Sequence, residues 1–236
     1  MKVVRRGYLP SYEKLFKEEG LEKIKEAGKD ALYLLNRGYR VKTATMFVQQ
    51  HYMLDEAQRL VIARCLATDE AIKSRKEKEV SKEDLEGKTI YIDGFNAIIP
   101  MESLVSNSPI FRCMDGAIRD MANLKGSYHI IDKTEPGIRL LFDMIDELKV
   151  AKAIINLDRP VSNSGRLKTL ILEISQEYNV EVEVNLLDAC DKSFYGLENV
   201  VSGDCVVIYN AKSWIPLYSW IVDKYKETHE VWELKF

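Results

Sequence analysis

Aspartates recur in this chain where apolar runs end. Asp93 closes Thr89-Ile-Tyr-Ile-Asp93, Asp158 closes a run that begins at Ala151, and Asp188 directly follows a run from Val180 to Leu187. Asp204 holds the equivalent place if residues 199–202 form a strand and the chain turns at Gly203. It would sit at the wrong edge if residues 204–209 were the strand, and the first assignment is favoured. Taken singly, an Asp beside Gly or Pro is ordinary turn chemistry. Several converging on one edge would repel one another unless a cation sat between them, and oxygen ligands of this kind suit Mg2+ or Mn2+. Such an ion activates a water and neutralises charge on a phosphodiester under attack, which is nuclease chemistry.

Two segments sharpen that expectation. In Asp93-Gly94-Phe95-Asn96 the glycine permits a turn and Asn96 can hold the carboxylate or a metal-bound water. In Asp158-Arg-Pro-Val-Ser162-Asn163-Ser164-Gly165-Arg166 a strand passes into a helix through hydroxyls, an amide and a guanidinium, a fair place for a phosphate. Arg112 is a further candidate for phosphate contact. The alternative for Ser162 or Ser164 is a plain helix cap. Other catalytic schemes find little support: His129 stands alone between the charged linker and the late helices, and no G-x-S-x-G occurs.

The elements that must position these groups follow from length and periodicity. With 236 residues, and about 150 per domain, one full domain plus a smaller module is expected. Residues 11–78 read as three to five short helices. Ser11 is placed to cap the first, a break falls at Asn36-Arg37-Gly38, and Ala44, Phe47, Val48, His51 and Tyr52 share a face. The nearly all-charged stretch 75–87 is the expected boundary between a helical module, 1–80, and an α/β domain, 88–236. Strands are expected at 89–93, 151–158, 180–187, 199–202 and 230–234, and helices at 112–123, 136–149, 164–178 and 214–224. Such alternation implies an α/β fold, a mainly parallel sheet with helices on both faces, whose ligands sit beyond the carboxyl ends of the strands.

Charge divides along the same boundary. The first 88 residues hold 19 Lys and Arg against 15 Asp and Glu, +4, while the rest hold 15 against 22, −7. A basic module beside an acidic one suits a polyanion held by the first and a metal held by the second. Arg37, Arg40 and Lys42 flank the module's central turn, with Tyr39, His51, Tyr52, Arg59 and Arg64 nearby, a mixture that can contact phosphates and stack on unpaired bases. The competing reading packs the aromatics in the core and leaves the cations as a solvated rim. Apolar residues make up 46% and charged residues 30%, as in a globular protein with a real core. No apolar run approaches bilayer length, no apolar leader precedes Pro10, and the four cysteines lack C-x-x-C spacing. A cytoplasmic protein with reduced, buried thiols and no membrane partner is expected; the sequence leaves a homo-oligomer open.

The stretch Ile90-Tyr-Ile-Asp93-Gly-Phe-Asn96, the later strand-end aspartates and Val201-Ser-Gly-Asp204 resemble the PIN-like nuclease superfamily, particularly its NYN branch, whose first strand commonly ends in Asp-Gly-x-Asn. The whole chain, helical module first, resembles an archaeal family catalogued as domain of unknown function number 434; Ser-Asn-Ser-Gly-Arg-Leu after Asp158 is the more distinctive feature of that smaller family. The resemblance implies a Rossmann-like, Mg2+- or Mn2+-dependent ribonuclease, with RNA favoured over DNA. It implies Asp93 as the first metal ligand, Asp204 as the late one and Asp188, or Asp191 beyond it, as the third acid. Asp115 and Asp120 both fit loosely as a helix-borne acid, and Asp158 matches no standard ligand of the superfamily. Two other readings compete with the nuclease. One is a catalytically silent nucleic-acid-binding or regulatory protein; the other is a nucleotide phosphate-handling enzyme built on residues 162–166.

Overall fold

Short apolar runs separated by helices build the central sheet. In the computed structural model of the chain, which describes residues 4–122, 126–225 and 231–236, strands β1 (Thr89–Asp93), β4 (Lys152–Asp158), β5 (Glu181–Leu187) and β6 (Val200–Val201) form one parallel sheet in the order β5-β4-β1-β6. Ile90 and Ile92 of β1 and Ala153, Ile155 and Leu157 of β4 alternate along their strands and bury one face of the sheet, while Tyr91 and Ile154, on the other face, are half-buried. The covering helices are α6 (Gly94–Val105), α7 (Thr134–Glu147), α8 (Ser164–Ser175) and α10 (Leu217–Tyr225). Register pairs Asp93 with Asn156 and Ile92 with Val201, so the carboxyl ends of β1, β4 and β6 share one edge. Strand β6 is short and α9 (Cys205–Asn210) follows it, which places Asp204 beyond the carboxyl end of its strand.

Among the described residues, five α-helices precede the sheet: α1 (Tyr12–Leu15), α2 (Glu18–Asn36), α3 (Val41–His51), α4 (Glu56–Cys65) and α5 (Asp69–Lys78). Asp55 and Gln58 form a reciprocal cap on α4, and Thr68 caps α5. Ser11 precedes α1, but its side chain makes no capping bond. None of the helices described is long and apolar enough to cross a membrane.

Two expected elements differ. Residues 112–123, expected as a helix, form a hairpin of β2 (Ile110–Arg112) and β3 (Ile118–Asp120); residue 123 lies outside the described residues. The turn decides the outcome. Gly116 takes φ +79°, and the Asp115 carboxylate accepts the Ala117 N–H at 3.1 Å, so the backbone reverses where a helix would continue. The last expected strand exists as β7 (Val231–Glu233), with residue 230 outside the described residues, but it pairs parallel to β2 in a separate three-stranded sheet, β3-β2-β7.

That small sheet is the floor of the helical module. Phe111, Cys113, Met121 and Leu234 complete a core whose other members include Phe16, Ile24, Val48, Val61 and Ile62. Phe111 stacks on Trp232 at 5.5 Å and meets Phe16 edge-on at 5.4 Å. The Phe236 ring lies against Gly28 of α2, where any added Cβ would stand 2.1 Å from the ring. Removing a ring such as Phe111 costs about 3–5 kcal/mol.

Candidate active site at the carboxyl edge of the sheet

Asp93 is the centre of the arrangement. It ends β1, only 1% exposed, because Gly94 starts α6 against the next strand; a Cβ there would meet the Leu157 side chain at 2.5 Å. Asn96 Nδ2 and Ser202 Oγ both donate to Asp93 Oδ2, at 2.7 and 2.8 Å. Burial raises the Asp93 pKa to about 7; those two hydrogen bonds pull it down, and the charges of Asp191 and Asp204 push it up. Ser202 Oγ also accepts the Asp204 backbone N–H at 3.0 Å, coupling the ends of β1 and β6.

Three more carboxylates share this edge. Asp204 caps α9, accepting the N–H groups of Val206 and Val207 at 2.7 and 3.0 Å. Asp191, in a single 3-10 turn after β5 (Asp191–Phe194), is raised by partial burial and by the charges of Asp204 and Asp158. Asp158 is raised by burial. The thiol of Cys190, buried behind them, is raised by burial and by Asp93, Asp158 and Asp191. The buried Tyr218 hydroxyl, in the field of Asp93, has no hydrogen-bond partner among the described residues.

The edge opens into a cleft of about 650 Å³ shared with the helical module. Asn96, Asp158 and Asp204 line one side; Leu35, Val41, Arg64 and Arg75 line the other. The hairpin supplies Asp115 and Arg119. Asp115 is buried, with Arg119 bound bidentately at 2.7 and 3.0 Å and Arg75 in contact with the same carboxylate. Arg119 Nε also donates to the Gly203 carbonyl at 3.0 Å, beside Asp204. Burial, and then the nearby Arg119 charge, lower the Arg75 pKa.

Several residues singled out in the sequence stand elsewhere. Asp188 is exposed and paired with Arg159 at 2.9 Å, and Asp191 occupies the side facing Asp93 and Asp204. Asp115 is balanced by two guanidiniums and so is unsuited to a cation. Ser162 and Asn163 do not form an anion cradle. Ser162 Oγ accepts the Tyr128 N–H at 2.8 Å and donates to the Tyr128 carbonyl at 3.0 Å, while Asn163 Nδ2 donates to that carbonyl at 2.6 Å. Ser164 Oγ donates back to the Arg159 carbonyl, and Arg166 is exposed. Arg112 is paired with Asp223 at 2.6 Å and lies near Glu233 at 3.7 Å. On the helical module Arg59 is tied to Glu56. Arg37 lies over the Tyr33 ring at 4.5 Å, and Arg40 and Lys42 are exposed in and just after the α2–α3 turn. Sequence reasoning missed Ser202, Arg75 and Arg119; the serine two residues before Asp204 was the one available signal.

Among the described residues, no three His, Cys, Asp or Glu side chains come close enough together to enclose one metal ion. The donor set is nevertheless hard oxygen: carboxylates that disfavour their own charge beside an unpartnered hydroxyl. That composition fits an ion held by one or two carboxylates, with water and substrate phosphate completing its shell, the usual habit of Mg2+.

Comparison with known proteins gives two family matches. Residues 82–220 match the family described as "Domain of unknown function (DUF5616)", and residues 23–78 match "Protein of unknown function (DUF434)". An uncharacterized protein of Methanocaldococcus jannaschii, MJ0935, is 39% identical over 185 residues, covering 78% of this chain and 88% of that protein. No solved structure matches significantly.

Proposed function

This chain belongs to the DUF5616 family, and we propose that it is a Mg2+- or Mn2+-dependent nuclease of the PIN-like, NYN type, acting on RNA in the cytoplasm. The observation that carries the reading is the convergence of Asp93, Asp191 and Asp204, with Asp158, at the carboxyl edge of a parallel sheet, where burial and mutual repulsion hold the Asp93 pKa near 7. A divalent ion bound there supplies charge neutralisation and an activated water for in-line attack on a phosphodiester. Asp93 and Asp191 are the proposed holders of the ion. Asn96 and Ser202 fix the Asp93 carboxylate through Oδ2. Asp204, whose Oδ1 accepts both capping N–H groups, presents its charge to the same space.

Substrate would enter past the α2–α3 corner. Leu35 and Val41 border the cleft there, and the exposed Arg37, Arg40 and Lys42 offer cations without carboxylate partners among the described residues. Tyr39 and Phe47, 52% and 61% exposed, offer faces for unpaired bases. The test is cleavage of labelled single-stranded RNA with Mn2+ or Mg2+ by the wild type and by Asp93→Asn, which removes a charge at constant size. Metal-dependent cleavage that falls at least about 100-fold in the variant is expected, about 2.7 kcal/mol of lost transition-state stabilisation. Equal activity in the two proteins overturns the assignment. A second reading, nucleic-acid binding without cleavage, is favoured by the lack of a three-residue metal cage among the described residues; RNA binding with no cleavage under any divalent ion would establish it.

A further inference from the structure

Cys65 and Cys113 carry a separate message. Cys65 is the last residue of α4 and Cys113 follows β2 directly, so one thiol belongs to the helical module and the other to the hairpin. Both are buried, and their sulfurs lie 2.9 Å apart, closer than ordinary nonbonded contact and within about 1 Å of a disulfide bond length of about 2.05 Å. The surrounding backbone fixes this approach: Met114 N–H donates to the Cys65 carbonyl at 3.2 Å, and Cys113 N–H to the Ala117 carbonyl at 3.0 Å. The other cysteines lack such a partner: Cys190 is buried in a different cluster and Cys205 is exposed at the cleft.

We propose that Cys65 and Cys113 are an oxidation site, forming a disulfide that joins the helical module to the hairpin beside the cleft, with a peroxide as the oxidant class. Cys113 is the attacking sulfur. Burial by itself would raise its pKa, but the Cys65 thiol hydrogen bond and the neighbouring Arg119 charge outweigh that and hold it down at about 7. Its thiolate attacks one oxygen of hydrogen peroxide; the O–O bond breaks, the departing hydroxide is protonated to water, and Cys113 becomes a sulfenic acid, while an organic hydroperoxide would release the alcohol instead. The Cys65 sulfur then attacks Cys113 Sγ, the S–O bond breaks, and a second water leaves with the Cys65 proton. Two electrons pass from the sulfur pair to the peroxide, and a thiol reductant reverses the product.

The consequence is geometric. Arg64 and Leu66, on either side of Cys65, line the cleft, and Asp115 and Ile118 line it from the hairpin. A bond between the cysteines fixes the separation of those walls. The cross-link would close a loop spanning 48 positions of sequence, a length at which disulfides restrict the unfolded chain substantially.

The test treats the intact protein with hydrogen peroxide under native conditions, then denatures, alkylates and digests it for mass spectrometry. Expected are a Cys65–Cys113 linked peptide, alkylation at Cys190 and Cys205, and a melting temperature raised by about 5–10 °C that dithiothreitol abolishes. Cys205→Ser leaves this result unchanged, whereas Cys113→Ser eliminates the linked peptide. Cys65→Ser, which retains the attacking sulfur, accumulates a sulfenic acid at Cys113 detectable by dimedone. The proposal is overturned if Cys65 and Cys113 both remain alkylatable after peroxide, or if their linkage appears only in denaturant.

Discussion

Two buried carboxylates stand at one cleft, Asp115 in its lining and Asp93 behind Asn96 and Asp204, and they solve opposite problems. Asp115 is buried with two arginines on it, so that site carries surplus positive charge. Asp93 is at least as deeply buried but has only neutral donors, with Asp191 and Asp204 repelling it. A buried ion pair is a structural device that ties the hairpin to α5, and breaking it leaves uncompensated charge. A buried carboxylate with no cation is held at a cost by the fold around it, and that cost is relieved by whatever positive charge arrives. The residue type is the same in both places; its partners decide whether it serves stability or awaits a ligand.

The contrast can be broken from either side. Asp115→Ala should have the largest effect, destabilising the protein by about 3–5 kcal/mol in urea denaturation because Arg75 and Arg119 are left buried together. A loss below about 1 kcal/mol would show that the pair is solvated. Asp93→Asn should act in the opposite direction. A carboxyl group whose folded pKa is about 7, against about 3.9 unfolded, binds its proton more tightly in the folded state, so its favourable contribution is complete below pH 4 and disappears as pH rises to 7. The variant should therefore match the wild type near pH 4 and exceed it by about 2–4 kcal/mol at pH 8 without divalent ions. Equal pH profiles for the two proteins would remove the case for a strained carboxylate.

Two smaller effects sharpen the comparison. Mg2+ binding at this edge should displace the Asp93 proton, so affinity measured by calorimetry should rise up to about tenfold per pH unit from 5 to 7 and level off above. A flat profile would place the ion elsewhere. Ser202→Ala removes one hydrogen bond to the Asp93 carboxylate, worth about 1 kcal/mol, and should move the midpoint of that pH profile upward. A downward movement would show that the hydroxyl does not favour the charged form.

What the sequence made legible was whatever a local run could encode. β1 and β4 were readable because their apolar residues are consecutive, and Asp93, Asp158 and Asp204 because each follows such a run. The hairpin at residues 110–120 was not, since Cys113, Ala117 and Met121 fall four apart as on a helix and the reversal rests on two residues, Asp115 and Gly116. The partner sheet of β7 was equally hidden: three residues of strand pattern do not specify which edge they join. Asp191 and Asp188 looked equivalent in sequence; in the structure Asp188 is exposed and paired with Arg159, while Asp191 is partly buried within reach of Asp93, Asp158 and Asp204. Arg75 sits in a run of charges that reads as solvated surface, yet it is 7% exposed, because its partner is 40 positions away.

Trp232, Leu234 and Phe236 follow every other element in chain order, yet they pack against helices that come first. A ribosome therefore releases α1 to α5 long before the residues that finish their core exist. The early helices must wait with apolar faces open while the sheet forms, and their final docking involves contacts of very high sequence separation, which are slow to form. Cutting the chain between residues 78 and 82, where the two family matches meet, would yield two pieces of which the first lacks the floor it folds upon.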